Sequence, residues 1–452
     1  MGCVNFLELR SPFIIFFDMK YSRFKILTFV MEFFQTLTKI TICNKMLFKE
    51  LTIILIVSIF VSSCSGQGDF SSSEKVMSSS PIKHPAQEKC SVVVGAEQTN
   101  LYLPLLLNKK VGIVANHTSM INAVHLVDSL LKLKVNIKKV YSPEHGFRGN
   151  ADAGEKVKSN VDAKTKLPII SLYGKNKKPT PEQLKGLEVI IFDIQDVGAR
   201  FYTYISTMHY VMEACAENNI KFVVLDRPNP NGDYVDGPIL ENEFKSFVGM
   251  HQVPIVHGMT VGEYAQMING EGWLAKGVKC NLEIIKLKNY THKTIYELPI
   301  KPSPNLANMQ AIYLYPSLCL FEGTPISVGR GTDRPFQVIG HPQLKTDFSF
   351  VPKPTQGAKE PLLKGETCYG LDLSGVEVKK ELDLSYLIRF YNDYPDKEHF
   401  FNNFFNTLAG NATLQEQIKQ GKTAQEINAT WQKGLLEFKA KRKKYLLYDD
   451  FE

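Results

Sequence analysis

From about residue 92, short apolar segments alternate with segments of helical periodicity, and this alternation constrains the fold most. Apolar strands are predicted in "KVGIVANHTS", "VNIKKVYSPEH", "LPIISLYG", "EVIIFDIQD" and "IKFVVLDRPNP". Helices are predicted between them in "AVHLVDSLLKL", "TPEQLKGL" and "YTYISTMHYVMEACAENN", with Thr180 capping the second helix and Pro181 at its first position. Such alternation predicts an α/β fold with a parallel sheet that helices cover on both faces.

A proline-rich step, "LPIKPSPNLAN", interrupts this pattern near residue 300. We expect a domain boundary there, with one domain over residues 91–300 and a second over residues 301–452. The last part of the chain, from "LDLSYLIRFYND" onward, is predicted to be mainly helical.

The segment "NKMLFKELTIILIVSIFVSSCSGQ" has the order of a secretory signal: basic residues, a short apolar run, then small residues. Its end resembles a bacterial lipobox, which predicts lipidation of Cys64 and a periplasmic protein anchored by lipid, with the outer membrane as the expected location. A plain signal anchor is the alternative. Residues 1–63 are therefore read as an upstream extension plus signal peptide, and the serine-rich residues 64–90 as a flexible tether.

The composition and the absence of common motifs exclude several classes of function. Of the formal charge of +7, residues 1–63 contribute +3, and the remainder is too small to indicate a nucleic-acid partner. No GxGxxG, GxxxxGK[ST], GxSxG or HExxH motif is present, so nucleotide, serine-hydrolase and zinc-protease sites lose their main support. We expect no cofactor. The five cysteines after Cys64 have no metal-binding spacing and are predicted to be mostly buried thiols.

Polar clusters stand at the ends of four predicted strands: "NHTS", "PEHGFRG", "DIQDVGAR" and "DRPNPNG". The carboxyl ends of parallel strands share one edge of a sheet, where ligands of such folds bind. Amides, carboxylates, arginines and tyrosines suit a polyhydroxylated ligand that carries a carboxylate. The predicted ligand-binding residues in or near these clusters are Asn116, Arg148, Asp193, Gln195, Asp196, Arg200, Tyr202 and Asn229.

Glycoside hydrolysis commonly uses an acid beside the leaving oxygen and a second group opposite it. Glu144 is the predicted acid, with helix capping or a salt bridge as the alternative. Glu322 is the predicted second carboxylate or a ligand contact, or else an ion-pair partner of Arg330 or Arg334. Asp196 is a rival for the second role. His145 is predicted to orient Glu144, to contact substrate, or to be structural.

A metal site could also be assembled from Glu144, His145, Asp193 and Asp226, but nothing in their spacing selects one. We therefore expect no metal. Metal-dependent esterase or amidase chemistry stays a third possibility, which a chelator would test.

An ordered series of uncommon strings covers the chain from about Val92 to its end. "GIVANHTS", "SPEHGFRG", "IFDIQDVGARFYTYISTM", "VPIVHGMTVGEYA" and "YPSLCLFEGTPISVGRGTDRPFQVIG" together resemble the exo-β-N-acetylmuramidase family, long catalogued as a domain of unknown function. Members of that family release N-acetylmuramic acid from the non-reducing end of peptidoglycan fragments.

The resemblance implies a Rossmann-like N-terminal domain, a smaller C-terminal α/β domain and a cleft between them. It implies Glu144 of "SPEHG" as the leading catalytic residue, and a lactyl carboxylate on the substrate that Arg200, Arg330 or Arg334 would bind. Substrate-assisted catalysis by the 2-acetamido group stays open. The alternative function is a non-catalytic lipoprotein that binds muropeptide sugars. No obligate protein partner is expected.

Overall fold

A seven-stranded, mostly parallel sheet forms the centre of the protein. The computed structural model describes residues 91–144, 146–148 and 160–452. The predicted signal peptide, the tether, Cys64 and His145 lie outside the described residues.

The strands of the first part of the chain are short and, apart from β5, rich in apolar residues. They are β1 (Val111–Ala115), β2 (Met120–Ile121), β3 (Val124–His125), β4 (Ile137–Ser142), β5 (Asn160–Val161), β6 (Pro168–Ser171), β7 (Val189–Asp193), β8 (Lys221–Leu225) and β9 (Leu282–Ile285). The strands β2 and β3 pair only with each other.

The order of strands across the large sheet is β5-β6-β4-β1-β7-β8-β9. All neighbouring pairs are parallel except β5 with β6. Without β5, the strands rank 3-2-1-4-5-6 in chain order, which is the order of Rossmann folds. The direction of winding reverses between β1 and β7, so a crevice opens at their carboxyl ends. The predicted α/β, Rossmann-like class is confirmed.

Both faces of this sheet are buried, as the unbroken apolar strands require. In β7, Ile190 and Phe192 enter one hydrophobic cluster, and Val189 and Ile191 enter the other. The covering helices are α1 (Thr99–Leu106), α2 (Leu126–Lys132), α3 (Pro181–Leu184), α4 (Tyr204–Glu217) and α5 (Val261–Gly270). The Thr180 hydroxyl accepts the N–H of Gln183 and Pro181 occupies the first turn of α3, so that predicted cap is confirmed.

The rest of the chain builds a smaller, three-stranded antiparallel sheet and a set of helices. The strands are β10 (Val338–His341), β11 (Phe348–Phe350) and β12 (Cys368–Asp372). The helices are α6 (Met309–Leu318), α7 (Ser385–Asp393), α8 (Phe405–Ala409), α9 (Thr413–Lys419) and α10 (Ala424–Arg442). The predicted boundary near residue 300 falls between β9 and α6, and the division into two folding domains stays a prediction. None of the helices among the described residues is both long and apolar enough to cross a membrane.

After α10, the chain returns to the carboxyl end of β8. The Tyr448 hydroxyl donates to the buried carboxylate of Asp226, and the backbone N–H of Leu447 donates to Glu263 at 2.8 Å. Arg442 is bonded to both carboxylate oxygens of Asp450 and to the carbonyl oxygen of Gly258. Residues 442–450, the return segment, therefore fasten the last helix to the sheet.

The cysteines of the described residues are buried and unpaired, as predicted for them. They are Cys215, Cys280, Cys319 and Cys368.

Candidate active site

The loops after β1, β4, β7 and β8 lie side by side, because these strands are adjacent and parallel. Asn116 follows β1, Glu144 follows β4, and Gln195 and Asp196 follow β7, while Asp193 is the last residue of β7. The predicted convergence of polar side chains at one edge of the sheet is therefore present in the structure.

Several of these polar residues hold the loops together rather than face a cavity. The Arg227 guanidinium donates from Nε and Nη2 to the two oxygens of Asp193 at 2.6 and 3.0 Å, and both side chains are buried. Asn116 accepts the hydroxyl of Thr118 at 2.6 Å, and this hydroxyl in turn accepts the N–H of Gln195 at 3.0 Å. These contacts hold the loops after β1 and β7 in place, and the loops form a rigid base at this edge of the sheet.

The loop after β8 is equally well bonded. The Asn229 amide donates to the carbonyl oxygen of Met259 at 2.9 Å and accepts the N–H of Asn231 at 2.8 Å. Asp226 accepts from the Thr260 hydroxyl and from the N–H of Gly262, both at 2.8 Å. In the described chain, no cluster of three His, Cys, Asp or Glu side chains has the geometry of a metal site.

Above this base lies a cavity of about 780 Å³. One wall comes from the end of β4, the end of β6 and the entry to α4: Glu144, Tyr173, Phe201, Tyr202, Thr203 and Tyr204. The second wall comes from the second part of the chain and includes Ser303, Tyr315, Glu322, Arg330, Phe336, Lys359, Glu360, Leu362 and Phe404. The volume lies within the range of small-molecule sites and exceeds what one hexose needs.

Glu144 is half-buried at the start of this cavity, in the loop that follows β4. Its Oε2 accepts a hydrogen bond from the Thr203 hydroxyl at 2.9 Å. Tyr173 is a second partner: burial raises the pKa of its phenol, and the charge of Glu144 and a hydrogen bond to it raise that pKa further. The phenol therefore stays protonated near neutral pH, and a carboxyl group is held in place by two hydroxyl-bearing side chains.

On the second wall, Glu322 and Arg330 form an ion pair with 2.7 Å between Oε1 and Nε. The Arg330 guanidinium also lies over the ring of Phe336, 5.0 Å from its centroid. Burial alone would lower the pKa of Arg330, but the Glu322 carboxylate offsets this and leaves the pKa raised. Of the two ion-pair partners predicted for Glu322, the structure selects Arg330.

Aromatic rings of the two walls pack against one another. Tyr202 contacts Tyr204 edge-to-face, with centroids 4.9 Å apart, and contacts Tyr315 at 5.9 Å. The Tyr202 hydroxyl donates to the carbonyl oxygen of Pro302 at 2.9 Å, which joins the two parts of the chain. These three rings are at most 8% exposed, so they form a rigid part of the cavity lining.

The structure brings together four of the predicted site residues in this cavity: Glu144, Tyr202, Glu322 and Arg330. It does not bring the remaining described ones into the lining. Arg148 pairs with Asp162 at 2.9 Å, and Arg334 pairs with Asp372. Their proposed contact with substrate gains no support from these positions.

Arg200 and Asp196 are also placed away from the cavity lining. Arg200 is 1% exposed and donates four hydrogen bonds to backbone carbonyl groups. Asp196 is 5% exposed; its Oδ2 accepts the N–H of Gly198, and its Oδ1 has no hydrogen-bond partner among the described residues. Burial raises the pKa of Asp196 to about 7. The geometry gives both residues a structural role.

Two of the cavity residues that were not predicted as site residues carried a signal in the sequence. Tyr173 lies at the end of the predicted strand "LPIISLYG", so the strand-end rule applied to it as well. Thr203 is the second residue of the predicted helix "YTYISTMHYVMEACAENN", and in the structure it lies directly before α4, where hydroxyl side chains commonly bind nearby groups. Phe404 reaches the cavity from a distant helical region, and no local pattern indicates this.

Two family models match consecutive parts of the chain. The model described as "Exo-beta-N-acetylmuramidase NamZ, N-terminal" matches residues 111–310, and its C-terminal counterpart matches residues 313–448. The chain belongs to the NamZ exo-β-N-acetylmuramidase family. The predicted family and the predicted class of enzyme, a glycosidase, are thereby confirmed.

Individual NamZ-family proteins are similar over most of the chain. Peptidoglycan beta-N-acetylmuramidase NamZ of Bacillus subtilis (strain 168) is 39% identical over 379 residues, which is 77% of this chain and 89% of the relative. A DUF1343 family protein of Bacteroides fragilis NCTC 9343, known from a crystal structure, is 49% identical and has a TM-score of 0.75 over 80% of this chain and all of its own. A second from that organism is 30% identical, with a TM-score of 0.68 over 79% of this chain and 99% of its own.

Proposed function

We propose that the protein is an exo-acting glycosidase that releases N-acetylmuramic acid from the non-reducing end of peptidoglycan fragments, with Glu144 as the general acid. The observation that carries this proposal is the position of Glu144, half-buried at the carboxyl end of β4 in the large cavity and bonded to Thr203. The activity named for the Bacillus subtilis relative supports the choice of substrate.

In this mechanism, the Glu144 carboxyl group protonates the glycosidic oxygen as the bond to the anomeric carbon breaks. Thr203 and Tyr173 hold the carboxyl group toward the leaving oxygen. The side chains of Tyr202, Tyr204 and Phe201 form part of the rigid surface that receives the sugar.

Three groups compete for the face opposite the leaving group: Glu322, Asp196 and the acetamido group of the substrate itself. Glu322 is already bonded to Arg330, and Asp196 lies beneath the cavity lining, so the acetamido group is the candidate that the geometry favours. Substrate-assisted hydrolysis retains the anomeric configuration, and NMR of the first-formed sugar would detect this. An inverted product would contradict it.

The decisive experiment is hydrolysis of the disaccharide in which N-acetylmuramic acid is linked to N-acetylglucosamine, because its sugar leaving group, unlike para-nitrophenolate, needs a proton to depart. We expect Glu144→Gln to lower kcat by about 10²- to 10⁴-fold, the range of one general acid. Glu283→Gln is the matched control, because Glu283, on the edge strand β9, is a partly exposed carboxylate outside the cavity lining that pairs with Lys221 of β8. Both variants should melt near the wild-type temperature. An active Glu144→Gln enzyme would refute the assignment, and saturable binding without turnover by the wild type would favour a binding protein.

We also propose that the protein is a periplasmic lipoprotein anchored through Cys64. The basic, apolar and small-residue order of residues 45–64 supports this proposal. Labelled palmitate should enter the wild type but not the Cys64→Ser variant. Equal labelling of both, or of neither, would exclude an anchor at Cys64.

A further inference from the structure

Arg330 stands on a turn whose backbone is held in one conformation. Gly329 and Gly331, on either side of it, have φ of 75° and 83°, in the left-handed region that favours glycine. A Cβ atom on Gly331 would lie 2.6 Å from the carbonyl oxygen of Lys353. Lys353 in turn donates its N–H to the Gly331 carbonyl oxygen at 2.8 Å. The backbone at the base of the Arg330 side chain is therefore fixed relative to the segment that follows β11.

The guanidinium itself is held on one side and free on the other. Nε donates to Glu322, and the Phe336 ring lies against the flat face. Nη1 and Nη2 make no hydrogen bond to any residue in the described part of the chain, and the side chain is 24% exposed in the cavity wall. A guanidinium can bind one carboxylate through Nε and present its two terminal nitrogens to another.

We propose that the terminal nitrogens of Arg330 bind the lactyl carboxylate of N-acetylmuramic acid, and that Glu322 is a positioning residue that orients Arg330 rather than a catalytic carboxylate. The inference rests on the proposed function, because that function supplies the carboxylate. On this proposal, Arg330 alone distinguishes muramic acid from sugars that have no free lactyl carboxyl group.

Glu322 contributes to ligand binding by holding Arg330 in one orientation. Its hydrogen bond to Nε and the ring of Phe336 restrict the rotation of the guanidinium, so less side-chain entropy is lost when a ligand binds. Its negative charge keeps Arg330 charged but also repels the incoming carboxylate. Glutamine at position 322 retains an acceptor for Nε without the charge.

The test compares two para-nitrophenyl glycosides, one of N-acetylmuramic acid and one of its neutral lactyl amide. A charge-assisted, two-point contact predicts that the wild-type kcat/KM favours the acid by about 10- to 100-fold. In Arg330→Met, this preference should fall below about threefold, with the rate on the amide retained. Arg330→Lys keeps the positive charge but loses the paired terminal nitrogens, so its preference for the acid should lie between those of the wild type and Arg330→Met. This variant also serves as a second test if the methionine variant misfolds.

Three further variants separate the alternatives. Arg389→Met is the matched control, because Arg389 is an exposed arginine paired with Asp393 on α7, and it should leave the preference unchanged. Arg334→Met should also leave it unchanged, and loss of the preference in that variant would overturn the assignment. Glu322→Gln should keep kcat on both glycosides within about fivefold, and a loss of about 10³-fold on both would make Glu322 catalytic instead.

Binding measurements keep this inference distinct from the proposed function. Calorimetry with N-acetylmuramic acid and its lactyl amide reports the same preference without turnover. A wild type that binds the acid preferentially but hydrolyses neither glycoside would refute the glycosidase and leave the Arg330 site supported. Hydrolysis of both glycosides at equal kcat/KM, or an unchanged preference in Arg330→Met, would overturn the Arg330 site and leave the glycosidase in place.

Discussion

Replacing Arg200 by lysine tests whether a buried arginine at the edge of the sheet serves the fold or the substrate. Its Nη1 donates to the carbonyl oxygens of Pro238 and Val253, both at 2.8 Å. Its Nη2 donates to those of Leu408 and Ala409 at 3.0 and 2.7 Å. One side chain thus connects the loops after β8 with the end of α8, more than 200 positions away in the sequence.

The expected loss in the free energy of unfolding follows from the number of hydrogen bonds that the lysine cannot make. A lysine ammonium is a compact group and cannot reach both pairs of carbonyl oxygens, so at least two of the four bonds are lost. A buried carbonyl group left without a partner costs about 1–3 kcal/mol, which makes the expected loss in free energy of unfolding about 2–6 kcal/mol. This is a large part of the roughly 5–15 kcal/mol available to a folded protein.

Urea unfolding of the wild type and Arg200→Lys measures this loss as a lower midpoint at an unchanged slope. Gly410→Ala provides an independent perturbation of the same contact. Gly410 has φ of 81°, and a Cβ there would lie 2.6 Å from Nη2 of Arg200, so we expect destabilisation in this variant as well. If Arg200→Lys instead unfolds with the wild type and raises KM only for the carboxylate-bearing glycoside, Arg200 is a substrate ligand and the reasoning is wrong.

Two other changes have expected outcomes of defined sign. The pKa of Asp196 is raised by burial to about 7, above its ordinary value of 3.8, so the folded state retains a proton that the unfolded state has lost between about pH 4 and 7. The wild type should therefore lose stability relative to Asp196→Asn as pH rises through that window, by at most about 1.4 kcal/mol per pH unit, and a constant difference in urea midpoints would contradict this. Tyr448→Phe removes a donor from the buried Asp226 carboxylate and should cost about 1.5–3 kcal/mol in urea unfolding. Tyr445→Phe, whose hydroxyl bonds the partly exposed Glu271, is the control and should cost less; equal losses would refute the role given to burial.

The sequence was sufficient to predict the architecture because each strand is a short apolar run followed by polar residues. The run "VIIFD" became β7 with every residue buried, as a central strand of a parallel sheet should. The convergence of the strand ends followed from topology alone. The position of Glu144 in the cavity lining could be predicted because the residue follows a strand end, whereas its catalytic role stays a prediction.

The orientation of individual side chains could not be predicted in the same way. Whether Arg200 faces a ligand or the backbone depends on Leu408 and Ala409, which no local pattern relates to it. Both Arg330 and Arg334 were possible partners for Glu322, and the choice was made by the turn between Gly329 and Gly331. The pairing of Asp193 with Arg227 required the adjacency of β7 and β8.

The return segment has a consequence for how the chain acquires its structure during synthesis. Asp226 lies 222 residues before Tyr448, and Glu263 lies 184 residues before Leu447, yet each pair is in direct contact. The strands of the sheet leave the ribosome long before these partners exist, while Asp226 and Glu263 already have Thr260 as a partner at the start of α5. Contacts between residues so distant along the chain form slowly. The newly made sheet therefore lacks these two hydrogen bonds for a long part of synthesis. These two native contacts therefore form only after residue 448 has been added, so the return segment adds to the stability of a sheet that was made before it.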